Sequence, residues 1–295
     1  MSQKTLSDLN ACSKDDFVAA LANIFEYSPW IAEQVASVRP LAGVKQLFDA
    51  MKAVVDRAPS ELRLGLIKGH PDLANKTQRA AGLTAESTAE QNGAGLDRLS
   101  DAEYVAFEHV NNAYRAKFGF PYIVCVRRHT KDSILRDFER RLPNDAKTET
   151  QKSIEEIFRI AALRVDQLVI GDDRLQVHGH LSTHVLDTHS GKPAAGMAVE
   201  LVELSDLGAS RVVTRGITNA DGRTDQPLIH GRPMPIGRYE LTFRAGDYFA
   251  ERKVPMSDPP FFDRIPLRFS VSEPEGHLHV PLLITPWSYA TYRGS

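Results

Sequence analysis

The hydrophobic periodicity of this chain changes once, and that change constrains the fold more than any single motif. Up to about residue 170 apolar side chains recur every three or four positions; beyond about residue 175 they alternate. A 3.6-residue period presents one stripe of a helix and a two-residue period one face of a strand, so neither pattern serves the other structure. The polar, turn-prone Gly171-Asp172-Asp173 falls at the junction. The reading is an all-α domain over 1–170, a linker over 171–178 and an all-β domain over 179–295. Two domains are also the expectation for 295 residues.

In the first half, Lys14–Leu21 follows a Ser13 cap, Ser28-Pro29-Trp30 opens a second helix with proline in its first turn, and Val44–Ala58 is a third. Asp101–Phe118 carries a capping box of Ser100 and Glu103. Thr148–Val169 is the longest helix, with Ile154, Ile157, Phe158, Ala161 and Leu168 along one stripe. This pattern predicts a helical bundle. In the second half, strands at 199–204, 211–213, 239–243 and 267–271 are punctuated by Asp221-Gly222, Gly231, Gly237 and Pro259-Pro260. That spacing predicts a β-sandwich, and Asp247–Lys253 allows one short helix.

Composition removes several function classes. A net charge of −2 without a Lys/Arg stripe argues against nucleic acid, and no apolar run reaches membrane length. The N-terminus lacks the apolar core of a signal peptide. Cys12 and Cys125, far apart, make no disulfide framework, so a reducing compartment is expected.

The chemistry-bearing residues of the second half lie on strands and at the C-terminus. In LSTHVLD, Thr183, Val185 and Asp187 point one way and Ser182, His184 and Leu186 the other. In HLHVPLL, His277, His279 and Pro281 oppose Leu278, Val280 and Leu282. A strand histidine is more often a packing residue than a functional one, and Arg223 after an Asp-Gly turn reads first as a solvated arginine. His184, His277 and His279 could supply three nitrogens to a metal, but no cysteine or carboxylate lies at metal spacing nearby. The terminal segment carries Tyr289, Tyr292 and Arg293, a composition suited to docking rather than fraying.

Three ordered motifs, His180–Leu204, TNADGR (Thr218–Arg223) and HVPLL with a terminal TYRGS, resemble the 5-hydroxyisourate hydrolases, a transthyretin-like family. The resemblance implies a catalytic set of His184, Arg223 and His279, with Tyr292, Arg293, Gly294 and Ser295 lining the pocket. It also implies a tetramer whose active sites lie in a channel between subunits. Hydrolysis of a cyclic amide needs a water deprotonated near neutral pH, for which imidazole is the matched base, and positive charge on the developing oxyanion. Which imidazole activates water stays open. Transthyretin shares the fold and only carries ligands, so fold alone does not establish activity.

The helical half has its own constellation: GHPDLA with His70 before Pro71, ESTAEQNGAGL with Ser87 ahead of Glu90 and Gln91, and AYRAKFGFPYIVCV. Singly these read as a cap, a capping box and an apolar core run. Together, over about residues 5–168 from FEYSPWIA onward, they resemble the 2-oxo-4-hydroxy-4-carboxy-5-ureidoimidazoline (OHCU) decarboxylases, an all-α family. Its motif histidine falls on His70, its glutamate on Glu90 and its late-helix arginine on Arg164, with Arg159 as a near neighbour. Pro71, Ser87, Gln91, Tyr122, Ile123, Val124, Cys125 and Val126 would line the pocket. The family usually shows Phe at the Tyr122 position and a more polar residue than Thr88 or Ala89. The implied roles are proton handling by His70, orientation by Glu90 and pairing of Arg164 with an anionic group. The adjacent carbonyl is the electron sink, so no cofactor is required.

Both resemblances together imply a bifunctional chain. Its second domain hydrolyses 5-hydroxyisourate to OHCU and its first decarboxylates OHCU to (S)-allantoin. The reading from another class is a transthyretin-like carrier fused to a non-catalytic helical module; the retention of His184, Arg223, His279 and the YRGS end favours the enzyme. Expected partners are small-molecule substrates and further copies of the chain in a homotetramer, with neither nucleic acid nor membrane. The expected compartment is the cytoplasm: a peroxisomal pattern, R-L-x5-H-L, narrowly fails at RLQVHGHL, which has four residues between Leu175 and His180.

Overall fold

The computed structural model describes residues 3–74, 83–206 and 208–294. The chain forms two compact units, Met1–Arg127 with Ile134–Val177, and Arg128–Ser133 with His178–Ser295. The first is helical and the second sheet-rich. Among the described residues no helix is long and apolar enough to cross a membrane.

The described helices are α1 (Leu6–Ala11), α2 (Lys14–Leu21), α3 (Trp30–Val35), α4 (Val44–Arg57), α5 (Ser60–Lys68), α6 (Ala85–Gly93), α7 (Asp101–Phe118), α8 (Lys131–Arg141), α9 (Ala146–Leu168) and, in the second unit, α10 (Ala245–Glu251). Local chemistry sets their ends. Ser100 and Glu103 form the expected capping box, the Ser100 N–H donating to Glu103 at 2.7 Å, and Gly119 closes α7 in the left-handed conformation at φ +73°. Along α4, Val44, Leu47, Met51 and Val55 are buried at helical spacing. Each such side chain stabilises the fold by about 1.5–3 kcal/mol when fully removed from water.

Several expectations need correction. Pro29 stands just before α3 rather than inside its first turn. Helices α5 and α8 are not singled out by the sequence reading: α5 contains Gly65 and is weakly amphipathic, whereas α8 carries Ile134, Leu135 and Phe138 on one face among charges. Ser87 is no cap, because the Thr84 hydroxyl already accepts the Ser87 N–H at 3.2 Å and α6 starts at Ala85. The all-α half also carries a short parallel clip, β1 (Lys4–Thr5) on β2 (Val169–Ile170). Within the expected 171–178 linker, Asp173 is tied back to the helical unit. Asp173 accepts the N–H groups of Val44 (2.7 Å) and Lys45 (2.8 Å), capping α4, whose own N-cap is the side-chain-less Gly43. A Cβ on Gly43 would lie 2.7 Å from that carboxylate, which is why glycine stands there.

The second unit holds β3 (Gly179–Asp187), β4 (Lys192–Pro193), β5 (Ala198–Leu204), β6 (Arg211–Ile217), β7 (Ile229–Arg232), β8 (Gly237–Phe243), β9 (Ile265–Val271), β10 (His277–Ile284) and β11 (Tyr289–Thr291). One sheet runs β11-β10-β3-β4 with β7 also on β3; the other runs β6-β5-β8-β9. Leu181, Val185 and Leu282 from the first join Leu201, Leu241 and Phe243 from the second in one apolar core. β3 alternates as expected, with Leu181, Thr183, Val185 and Asp187 buried. β10 does not: Val280, Pro281 and Leu282 are buried in succession. Pro281 is covered because β10 is an interior strand, with Pro281 opposite His184 on one side and its carbonyl accepting the Thr291 hydroxyl at 2.8 Å on the other.

Candidate active sites

In the helical unit, His70, Pro71, Ser87, Glu90, Gln91, Tyr122–Val126 and Arg164 line one pocket. Three elements deliver the charged groups. Arg164 projects from α9, Glu90 from α6, and His70 follows the last turn of α5. The Arg164 guanidinium meets Glu90 bidentately, Nε to Oε1 at 2.9 Å and Nη2 to Oε2 at 3.0 Å. Its Nη1 donates to Glu26 (2.9 Å) and to the Asn23 carbonyl (3.0 Å), and Nη2 also to the Ser87 hydroxyl (3.3 Å). All five N–H donors of Arg164 therefore end on protein. The arginine thus holds Glu90 and Glu26 in place. Arg159 pairs instead with Glu156, outside this cluster.

Glu26 is the residue that sequence reasoning missed. It is buried, and its other oxygen accepts the hydroxyls of Thr84 (2.6 Å) and Ser87 (3.0 Å). Burial would raise its carboxyl, but Arg164, Thr84 and His70 outweigh this and hold it below the usual 4.5. An acid between Phe25 and Tyr27 in an apolar segment is the only trace of it in the sequence.

His70 is buried, and its Nδ1 lies 2.9 Å from the Leu66 carbonyl. A carbonyl only accepts, so Nδ1 carries the proton and Nε2 is the basic atom of the ring. Burial, helped by the Arg164 charge and opposed by Glu26 and Leu66, pushes the imidazole down to about 4. Since the folded value lies below the ordinary 6.5, this contribution to stability is intact above pH 6.5 and is lost as pH falls toward 4. The helical unit is expected to lose up to about 1.4 kcal/mol per pH unit from this group in that window, and His70→Asn to flatten the slope. Thermal unfolding of both chains against pH checks this; parallel curves would contradict it.

The extended 122–126 run is fixed from behind. Arg141 Nη1 donates to the Ile123 carbonyl (2.7 Å), and the Cys125 N–H donates to Glu156 (2.9 Å). The Tyr122 hydroxyl donates to Asp137 at 2.6 Å, and burial together with that carboxylate raises it far above its ordinary value. Tyr122 thus lines the pocket with its hydroxyl engaged by Asp137. Gln91 binds Ala74 N–H at 3.1 Å rather than pointing loosely into the pocket.

In the sheet unit, parallel pairing of β10 with β3 sets His277 opposite His180, His279 opposite Ser182 and Pro281 opposite His184. Arg223 arrives from the Asn219–Arg223 turn. Asn219 Oδ1 accepts the N–H groups of Asp221 (3.0 Å) and Arg223 (3.2 Å), and the Gly222 carbonyl accepts Val185 N–H (2.8 Å), beside His184. His184, Arg223 and His279 lie near enough for their charges to act on one another. Burial, then the Arg223 charge, lowers His184; burial, then Arg223, His184 and His277, lowers His279. Both imidazoles are thereby biased toward the neutral form, which leaves a lone pair to accept a proton, beside the Arg223 guanidinium.

The terminal segment docks as expected. Gly294 N–H donates to the His279 carbonyl at 3.0 Å, and a Cβ there would lie 2.6 Å from the His279 ring, so the glycine of YRGS lets backbone pack on the imidazole. Tyr292 and Arg293 line a groove of ≈ 440 Å³ with His277 and His279, whereas His184 and Arg223 lie outside that lining. Ser295 lies outside the described residues. Among the described residues no three His, Cys, Asp or Glu side chains are grouped to hold a metal. Sequence reasoning also missed Ser182, whose Oγ lies 2.9 Å from His279 Nδ1 and 3.2 Å from His277 Nε2.

A helical unit with a buried histidine–glutamate–arginine pocket, joined to a sheet unit with an imidazole–guanidinium face, defines a two-site acid–base enzyme. The OHCU decarboxylase family model matches residues 10–166, and the HIUase/Transthyretin family model residues 181–294. The chain belongs to the OHCU decarboxylase family through its first unit and to the HIUase/transthyretin family through its second. It is 55% identical over 119 residues to a 5-hydroxyisourate hydrolase of Deinococcus radiodurans, covering 40% of this chain and 98% of that protein. It is 39% identical over 165 residues to an OHCU decarboxylase of Haloferax volcanii, covering 56% and 96%. The crystal structure of an (S)-allantoin synthase is 35% identical, covers 99% of both chains and superposes with a TM-score of 0.52.

Proposed function

We propose that this chain converts 5-hydroxyisourate to (S)-allantoin in two steps, hydrolysis in the sheet unit and decarboxylation in the helical unit. The observation that carries the reading is the bidentate Arg164–Glu90 pair beside a neutral His70 in one pocket.

OHCU carries a hydroxyl and a carboxyl on one carbon. Each Glu90 oxygen accepts one N–H from Arg164 and keeps a lone pair, so Glu90 accepts the substrate hydroxyl. As CO₂ leaves, its bonding pair enters the ring system, and a proton must return on one face. His70 is neutral at rest, so its Nε2 first takes up a proton from solvent and then gives it to the ring carbon on that face, its Nδ1–H staying on Leu66. The run from Tyr122 to Val126, with Pro71, forms the wall that makes protonation one-sided. In the sheet unit His184 and His279 serve water activation, and Arg223 serves the oxyanion. Arg223 is exposed in a single chain, which supports a homotetramer whose subunits complete the site. The finer architecture, a helical bundle and a two-sheet sandwich in a cytoplasmic chain, belongs to the same reading.

The test is urate supplied with urate oxidase, followed by absorbance and circular dichroism. The expected result is faster decay of hydroxyisourate and an optically active product; unchanged decay with a racemic product would overturn the proposal.

A further inference from the structure

Hydrolysis of an amide moves protons twice. Water attack on the carbonyl carbon sheds one, and breaking the ring C–N bond requires one on the leaving nitrogen. An imidazole that keeps the first proton becomes a cation, which the neighbouring Arg223 disfavours. His279 is half-buried in the groove wall, and the Gly294 backbone packs on its ring. Its Nδ1 lies 2.9 Å from Ser182 Oγ, which lies 3.2 Å from Nε2 of the exposed His277.

We propose that Ser182 and His277 form a relay that carries protons between His279 and solvent during hydrolysis. A hydroxyl has one proton, so Ser182 donates to one imidazole nitrogen and accepts from the other, and two fully satisfied arrangements exist. In the first, His279 Nδ1–H donates to Ser182, whose hydroxyl donates to His277 Nε2, and His279 Nε2 is free as the base. When Nε2 takes a proton from the attacking water, Nδ1 passes its own to Ser182 Oγ. The hydroxyl proton moves to His277 Nε2, and His277 Nδ1 releases one to buffer. That is the second arrangement, with every donor reversed. His279 Nε2–H then protonates the leaving nitrogen as the C–N bond breaks, the relay runs back, and His277 Nδ1 regains a proton from buffer. The net proton of the reaction is the one lost when the product carboxylic acid ionises. His180 stacks on His277 with ring centroids 3.8 Å apart, which fixes the His277 ring at the outer end of the relay. Besides His277, the other charged and titratable groups around His279 are Arg223 and His184 and, lining the same groove, Arg268, Glu273, Tyr289, Tyr292 and Arg293; among the described contacts it is Ser182 that joins Nδ1 to His277.

The relay rests on His279 belonging to the hydrolase site, and the experiment separates the two ideas. Hydroxyisourate hydrolysis is measured for the full chain, Ser182→Ala, Ser182→Thr and His277→Gln in dilute buffer and with added imidazole buffer. The expected loss is about tenfold or more for His277→Gln in dilute buffer, recovered with imidazole, and a comparable loss for Ser182→Ala, recovered in Ser182→Thr. The unsubstituted chain is expected to be indifferent to buffer. Circular dichroism establishes that each variant is folded. An active wild type with full activity in folded Ser182→Ala, or a His277→Gln loss insensitive to imidazole, overturns the relay alone; an inactive wild type overturns the hydrolase reading.

Discussion

Replacing Arg164 with methionine is expected to reduce decarboxylation at least about 100-fold and to destabilise the helical unit by about 3–5 kcal/mol. Methionine keeps most of the length and apolar contact but removes five donors at once. Glu26, 2% exposed, then sits buried without its cation, and Glu90 loses both bonds that aim it. Removing one partner of a buried ion pair costs far more than the pair contributes, because the remaining charge stays desolvated. Arg164→Lys should fall between, since an ammonium reaches one carboxylate well but cannot reproduce the fork. Decarboxylase assays with chemical unfolding of the helical unit check this, and hydrolysis should be unchanged. Activity and stability within a few-fold of the parent chain would contradict it.

Gly222→Ala is expected to reduce hydrolysis about 100-fold while sparing decarboxylation. Gly222 has φ +73°, a conformation costing about 1–3 kcal/mol for a residue with a Cβ, and the added methyl would run into the Val185 carbonyl. That carbonyl is backbone of β3, next to His184, and cannot move aside without shifting the strand. The turn must move instead, and Arg223 with it. Gly191 offers the control: its φ is +71° but nothing lies within 4 Å of where its Cβ would be, so Gly191→Ala should carry only the backbone cost and keep hydrolysis. Equal losses in the two variants would contradict this account of Arg223.

Much of the architecture is legible in the sequence because it is encoded locally. The capping box at Ser100, the span Asp101–Phe118 and the alternation of LSTHVLD each need only a few neighbouring residues. The groups that support the sites are not encoded that way. Glu26 and Arg164 stand 138 residues apart, and Asp173 caps a helix that begins 129 residues earlier. Ser182 acquires its meaning only when β10 pairs with β3 across 97 residues. No period or spacing signals such partners. Thr84 shows the opposite failure: a nearby, plausible Ser87–Glu90 box conceals the true cap, because Ser87 is engaged by Glu26 and Arg164.

The central claim is that each unit carries one step and that the two together yield one enantiomer. Mixing the Arg164→Met chain with the Gly222→Ala chain, with urate and urate oxidase supplied, tests it most directly by circular dichroism. Each variant alone is expected to give slow, largely racemic product, and the mixture to restore rapid formation of optically active allantoin. A mixture no better than either chain alone would contradict the claim.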